Sequence, residues 1–237
     1  TVVGSVGDLG MGEQIYAVRF AGPVGYVVTY RAVDPLYTLD LSDPARPRLA
    51  GALLLHGYSA YLYPVDATHL IGIGQATDAR GHILGTQISL FDVSDIGAPV
   101  RLAVCRLALA RSEAEVDPHA LLYWPATRLL VLPVQLPAAV AAKHPLAPLP
   151  MPAGESAQIP AVSAAVALRI GDHTITRLGT ITNPAAPGYP PGVPGYPSGS
   201  PIRRSLVIGS TLWTLSDTGL RASDLTTFAA LGWVPFE

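Results

Sequence analysis

The run Asp40-Leu41-Ser42-Asp43-Pro44 returns as Asp92-Val93-Ser94-Asp95, and the spacing from Asp43 to Asp95 equals that from Asp172 to Asp224. The interval between the two pairs is longer by one Pro/Ala-rich stretch, Leu136 to Ile159. With that stretch set aside, the chain repeats every ~50 residues, a period that belongs to arrays of small supersecondary units. Each repeat divides into four strand-like pieces. The first holds Gln14–Phe20, Gly25–Arg31, Leu36–Leu41 and Arg48–Leu55. The second holds Ala60–Val65, His69–Gly74, Gln87–Val93 and Val100–Leu109. The third holds Ala120–Trp124, Leu129–Val134, Ser163–Ile170 and Thr174–Ile181, and the fourth Arg204–Ile208, Thr211–Leu215, Gly219–Leu225 and Phe228–Val234. Unbroken apolar runs such as Leu129-Leu130-Val131-Leu132 predict inner strands covered on both faces, whereas alternation around Arg101, Val104 and Arg106 predicts an outer strand. Gly22-Pro23, Asp34-Pro35, Asp43-Pro44 and Gly97-Ala98-Pro99 supply the turns.

Four antiparallel strands per unit predict an all-β β-propeller with four visible four-stranded blades. A sixteen-stranded sandwich or barrel is the alternative. The blades are expected at about 13–56, 57–110, 117–183 and 202–237, within one domain spanning 1–237. Val2-Val3-Gly4-Ser5-Val6 matches Leu49-Ala50-Gly51-Ala52-Leu53, so residues 1–9 are expected to be the outer strand of a preceding or closing blade. The chain then reads as the C-terminal part of a larger propeller, with a closed four-blade ring as the other arrangement. An incomplete ring would expose blade faces and favour a homo-oligomer or pairing with a missing N-terminal segment.

Composition narrows the function classes. Lys and Arg number 15 against 17 Asp and Glu, only 14% of residues are charged, and 49% are hydrophobic. That balance excludes a largely disordered chain and argues against nucleic acid as a partner. No run of about 18 apolar residues is present to span a membrane, and a signal or anchor would lie before residue 1. The single cysteine, Cys105, excludes an internal disulfide; its apolar surroundings predict a buried, inert thiol rather than a nucleophile.

Little in the motifs points to a reaction. The Asp-x-Ser-Asp segments offer Asp40, Ser42, Asp43 and Asp92, Ser94, Asp95, too few oxygens for a calcium loop, and read as turns closed by side-chain hydrogen bonds. The histidines (His56, His69, His82, His119, His144, His173) form no zinc signature, so neither a metal nor another cofactor is expected. Gly57-Tyr58-Ser59-Ala60-Tyr61 fails the nucleophile-elbow pattern at its last position. Only His119 has a carboxylate, Asp117, two residues away. Aligning the first strands of the repeats places Gln14, Ser59, His119 and Arg204 together, preceded by Glu13, Tyr58, Asp117 and Arg203. These eight polar residues form the candidate ligand-binding mouth of a central channel, against the alternative that they only satisfy one another and water. Arg203 and Arg204 are the expected anchors for an anionic ligand. Two Pro-rich loops, 136–160 and 184–201, read as extended insertions, with Tyr189 and Tyr196 as contacts for a ligand or partner.

The run Gly12-Glu13-Gln14-Ile15-Tyr16-Ala17-Val18-Arg19-Phe20, with Tyr26-Val27-Val28-Thr29-Tyr30-Arg31, Asp34-Pro35-Leu36-Tyr37, Asp40-Leu41-Ser42-Asp43-Pro44, Gly57-Tyr58-Ser59-Ala60-Tyr61-Leu62 and Ser89-Leu90-Phe91-Asp92-Val93-Ser94-Asp95, resembles the secreted bacterial and archaeal β-propeller-domain family. That family is distantly related to WD-type repeats. The closing segment Ile202-Arg203-Arg204-Ser205-Leu206-Val207-Ile208-Gly209 with Thr211-Leu212-Trp213-Thr214-Leu215-Ser216 fits it too. The family commonly has an Asp-His pair where this chain has Asp117-Pro118-His119, and a His where Tyr63 stands. The resemblance implies an extracellular or cell-envelope protein and brings no established catalytic residue. The expectation is a non-catalytic binding module for a protein, peptide or glycan at the cell envelope. The alternatives are a hydrolase or lyase using Asp117, His119 and Arg204, or a purely structural scaffold.

Overall fold

The structure is a computed structural model and describes residues 1–30, 34–137, 161–184 and 199–236. Most of the two Pro-rich loops, with Tyr189 and Tyr196, lies outside the described residues. The chain forms two compact units, one of Thr1–Arg106 with Asp172–Thr174, the other of Leu107–Gly171 with Ile175–Glu237.

The first unit holds two sheets. Strands β1 (Gln14–Ala21), β2 (Val24–Tyr30), β3 (Asp34–Asp40) and β4 (Arg48–Leu55) pair in sequence order, as do β5 (Tyr58–Pro64), β6 (His69–Thr77), β7 (Ile83–Asp92) and β8 (Val100–Ala108). The second unit holds β10 (Leu122–Trp124), β11 (Leu129–Pro137), β12 (Ala161–Ile170) and β13 (Ile175–Ile181), with the two-residue β9 (Arg111–Ser112) paired to β11. Its other sheet is β14 (Ile202–Ile208), β15 (Thr211–Ser216), β16 (Gly219–Asp224) and β17 (Ala230–Pro235). The strands pair antiparallel in all four sheets. Four four-stranded meanders with almost no helix are the blade pattern that the repeat predicts.

Burial follows position in each meander. The middle strand β6 is buried along nearly its whole length, and β2 almost as fully. The outer strand β4 alternates between exposed and half-buried positions. Between the first two sheets, Ala17, Tyr26, Val28 and Leu36 pack on Leu62, Leu70, Phe91 and Val93. In the second unit Leu129, Val131, Ala165 and Ala167 pack on Ile202 and Leu212. Each large side chain so buried contributes about 1.5–3 kcal/mol. Cys105 lies inside, as its apolar run predicts.

Two details differ from the sequence expectation. The first strand of the third repeat is shorter than Ala120–Trp124. Asp117 accepts from the backbone N–H of His119 (2.9 Å) and caps a 3₁₀ turn over Pro118–Ala120, so the strand is only Leu122–Trp124. Pro118 at the first position of that turn has the φ it needs and no N–H to lose. The place beside β11 is therefore divided: β10 covers Leu129–Val131 and β9 covers Val134–Gln135. Pro133 falls in the gap, where it has no N–H to offer a ladder; the Ser112 hydroxyl donates to its carbonyl at 2.7 Å.

Secondly, Asp224 ends β16 as Asp40 ends β3 and Asp92 ends β7. It is thus the counterpart of the first aspartate of each turn, not of Asp43 and Asp95. The carboxylates of Asp40, Asp92 and Asp224 accept from the N–H groups of Ser42 (3.0 Å), Ser94 (2.8 Å) and Thr226 (3.0 Å). These are Asx turns.

Residues 1–8 join no ladder among the described residues. Gly4 instead lies against the turn that joins β3 to β4: a Cβ there would meet the Pro44 carbonyl and come within 2.6 Å of Pro47 Cδ.

Candidate functional site

Three of the four first strands carry a β-bulge near their start. The ladder skips a residue between Ile15 and Ala17 in β1, between Ser59 and Tyr61 in β5, and between Ile202 and Arg204 in β14. Tyr16, Ala60 and Arg203 are the extra residues, and a bulge re-aims the side chains around it. Ile15, Ser59 and Ile202 are therefore the true equivalents. The alignment of Gln14, Ser59 and Arg204 slips by up to two residues, and His119 sits on the capped turn rather than on a strand. The eight candidate residues fall into two groups of four, one in each compact unit.

In the first unit the bulge brings Tyr16 against Tyr30 (ring centroids 5.4 Å apart) and Tyr58 (4.9 Å), and Tyr30 meets Tyr58 at 5.0 Å. Edge and tilted packing of this kind suits the ring quadrupoles. Tyr16 stays exposed, and Tyr30 and Tyr58 are half-buried. Gln14, in register with Tyr30, is exposed beside them. Glu13 accepts a hydrogen bond from the Thr29 hydroxyl. Its N–H donates to the Gly10 carbonyl at 2.8 Å. Ser59 departs from expectation: it is only 8% exposed, with its hydroxyl packed against Gly72, so it faces the sheet interior rather than an open mouth.

In the second unit the structure brings Asp117, His119, Arg203 and Arg204 together. Asp117 Oδ2 accepts from Arg204 Nη2 at 2.6 Å, and its Oδ1 lies 3.2 Å from His119 Nδ1. Hydrogen bonding from the His119 N–H, aided by Arg204, holds the Asp117 carboxyl below its ordinary value. The His119 side chain is 86% exposed. Arg203 donates from Nη1 to Glu113 Oε2 (2.9 Å) and from Nη2 to Asp217 Oδ2 (3.1 Å). Those carboxylates, Asp217 first, raise the guanidinium above its ordinary value. Both arginines are thus engaged by carboxylates, which reduces the net positive charge they offer an anionic ligand. A cavity of about 220 Å³ adjoins this cluster, lined by Arg111, Ser112, Glu113, Gln135, Ser163 and Ile202 among others.

Sequence reasoning missed Tyr16, Tyr30, Glu113 and Asp217. A bulge leaves no mark in hydrophobic periodicity, so the tyrosine cluster had no signal. Glu113 had one: Ser112-Glu113-Ala114-Glu115 spells a capping box, and both of its hydrogen bonds form.

Four-stranded meanders of one strand order, with equivalent bulges in three of their first strands, are the blades of a β-propeller. The chain matches the Beta propeller domain family over residues 1–228 and belongs to it. It is 40% identical over 132 residues to an uncharacterized protein of Methanocaldococcus jannaschii, a match covering 56% of this chain and 20% of that protein. It is 43% identical over 98 residues to an uncharacterized protein of Archaeoglobus fulgidus, covering 41% of this chain and 15% of that protein. The matches thus span about a fifth or less of those relatives. A crystal structure of a protein from Lactobacillus plantarum superposes with a TM-score of 0.50 at 10% identity, over 93% of this chain and 55% of that one. At that identity the likeness shows the fold alone. No helix among the described residues is long and apolar enough to cross a membrane.

Proposed function

We propose that this propeller is a non-catalytic binding module that works outside the cytoplasm and takes a peptide or glycan of the cell envelope. The tyrosine cluster of Tyr16, Tyr30 and Tyr58 carries the reading. Three contacting rings offer apolar area at low entropic cost, with polar edges to orient a ligand, and Gln14 adds an adaptable donor and acceptor beside them.

A screen of envelope glycans and peptides by array, followed by calorimetry, tests this reading. Tyr16→Ala is expected to weaken the best binder by about tenfold or more, as loss of an aromatic anchor does, with the melting temperature little changed. His119→Ala is expected to leave binding intact. Unaltered binding in Tyr16→Ala would reject the aromatic platform. Substrate turnover abolished by His119→Ala would instead establish a hydrolase or lyase built on Asp117, His119 and Arg204.

A further inference from the structure

Three of the four outer strands share a device. The ladder skips Ala50 in β4, Leu178 in β13 and Leu231 in β17, and a glycine follows each time: Gly51, Gly179 and Gly232. Pairing puts these glycines at the end of equivalent cross-sheet rows. The rows are Arg19, Tyr26, Thr38, Gly51 in the first sheet and Leu122, Val131, Ala167, Gly179 in the third. Leu206, Trp213, Ala222 and Gly232 form the row in the fourth sheet.

In two of these sheets the glycine is a seat for the next sheet's outer turn. A Cβ on Gly51 would lie 2.6 Å from the Ile96 carbonyl and 2.7 Å from that of Gly97, in the turn between β7 and β8. A Cβ on Gly179 would lie 2.9 Å from the ring of Phe228, in the turn between β16 and β17. Gly4 takes the corresponding position on the turn between β3 and β4, so that turn already has its glycine. Gly232 alone of the four has nothing within 4 Å. Around it the same face is apolar and open: Leu206 is 39% exposed, Ile208 62% and Val234 56%. The face is built like its siblings, and its exposed apolar residues adjoin the open glycine, a combination that marks interaction sites.

We infer that the Gly232 face of the fourth sheet receives a further propeller blade, supplied by polypeptide beyond these four sheets, whose outer turn sits on Gly232. Shape and polarity select this occupant over an unrelated protein. The seat reproduces one that two sheets of this chain fill with an Asx-closed blade turn, and the flanking row presents Leu206 and Trp213 to a neighbouring sheet. The archaeal relatives, of which the matches cover a fifth or less, have ample further length for such a blade.

The test compares the 237-residue chain with the polypeptide as the cell makes it, which the inference requires to be longer. Hydroxyl-radical footprinting is expected to show Leu206, Ile208 and Val234 oxidised severalfold more slowly in the full-length protein. Gly232→Leu is expected to shift the melting temperature of the short chain by no more than about 2 °C, as an open surface site allows. In the full-length protein it is expected to lower it by about 4–8 °C through overpacking. Equal oxidation in both proteins overturns the inference. So does protection already present in the short chain and lost on dilution, which would make a second copy the occupant.

Discussion

At the scale of single residues, close approach decides more than chemistry does. Thr38 shows how the seat at Gly51 is closed: its hydroxyl donates to the Ile96 carbonyl and lies 3.1 Å from that of Gly51. Gly51→Ala forces a methyl group onto two backbone carbonyls that cannot give way as a side chain could. It is expected to cost about 1–3 kcal/mol, or several degrees of melting temperature, measurable by thermal unfolding followed by circular dichroism. Gly232→Ala, with open space around it, is the matched control and is expected to be close to neutral. Phe228 reaches the same kind of contact by another route: it holds a positive φ of 60°, unusual for a bulky residue, to lay its ring over Gly179. The glycines themselves are plain in the sequence. Their role is not, because a seat exists only when another sheet's turn arrives over it.

At the scale of elements, one residue fastens the third sheet to the fourth. Asn183, the only asparagine of the chain, follows β13 and is buried. Its Nδ2 donates to the Thr214 carbonyl at 3.2 Å, and its Oδ1 accepts from the Thr214 hydroxyl at 2.8 Å. Asn183→Leu leaves both Thr214 groups without these bonds, a loss of about 1–3 kcal/mol. Chemical denaturation with an unchanged m-value is the expected readout. Ser112 likewise acts in two places, capping the turn at Glu113–Glu115 and donating to Pro133 where the ladder is interrupted. Ser112→Ala is expected to destabilise by about 1 kcal/mol or more, and to speed amide exchange in β9 ahead of the other strands. Strand positions were legible because inner strands are apolar on both faces. The shortened β10 was not, because the Asp117-capped turn claims Ala120, which the unbroken apolar run Ala120–Trp124 assigns to the strand.

At the scale of the whole molecule, the aspartates that end strands set the response to acid. Asp40 is held well below the usual carboxylate range by the Ser42 hydroxyl and N–H, with help from Arg48. Hydrogen bonds from Ser94 lower Asp92, and those from Thr227 lower Asp224, from the ordinary value. Each favours the ionised form in the folded state more than in the unfolded chain, whose aspartates titrate near ~3.9. Their stabilisation is therefore complete above about pH 4 and is lost as pH falls through the lower folded values. Melting temperature is expected to hold from neutral pH down to about 5 and to fall below 4, and Asp40→Asn is expected to flatten part of that fall. An acid limb unchanged in Asp40→Asn would show that this turn does not contribute to it.

The four-fold repeat, the blade meander, the buried inner strands and the Asx turns all follow from the order of residues, because each depends on neighbours within a few positions or on a pattern along one strand. The polar residues chosen for the candidate site also came from that order, yet their arrangement did not. Whether Arg204 meets a ligand or Asp117, whether Ser59 faces solvent or Gly72, and whether Tyr16 joins two other rings depend on bulges of a single residue and on strands far apart in the chain. The same holds for Gly51, Gly179 and Gly232, alike in sequence, of which two lie against another sheet's turn and the third has nothing within 4 Å. Local preference places a strand; only the packing of one sheet on another decides what lies against it.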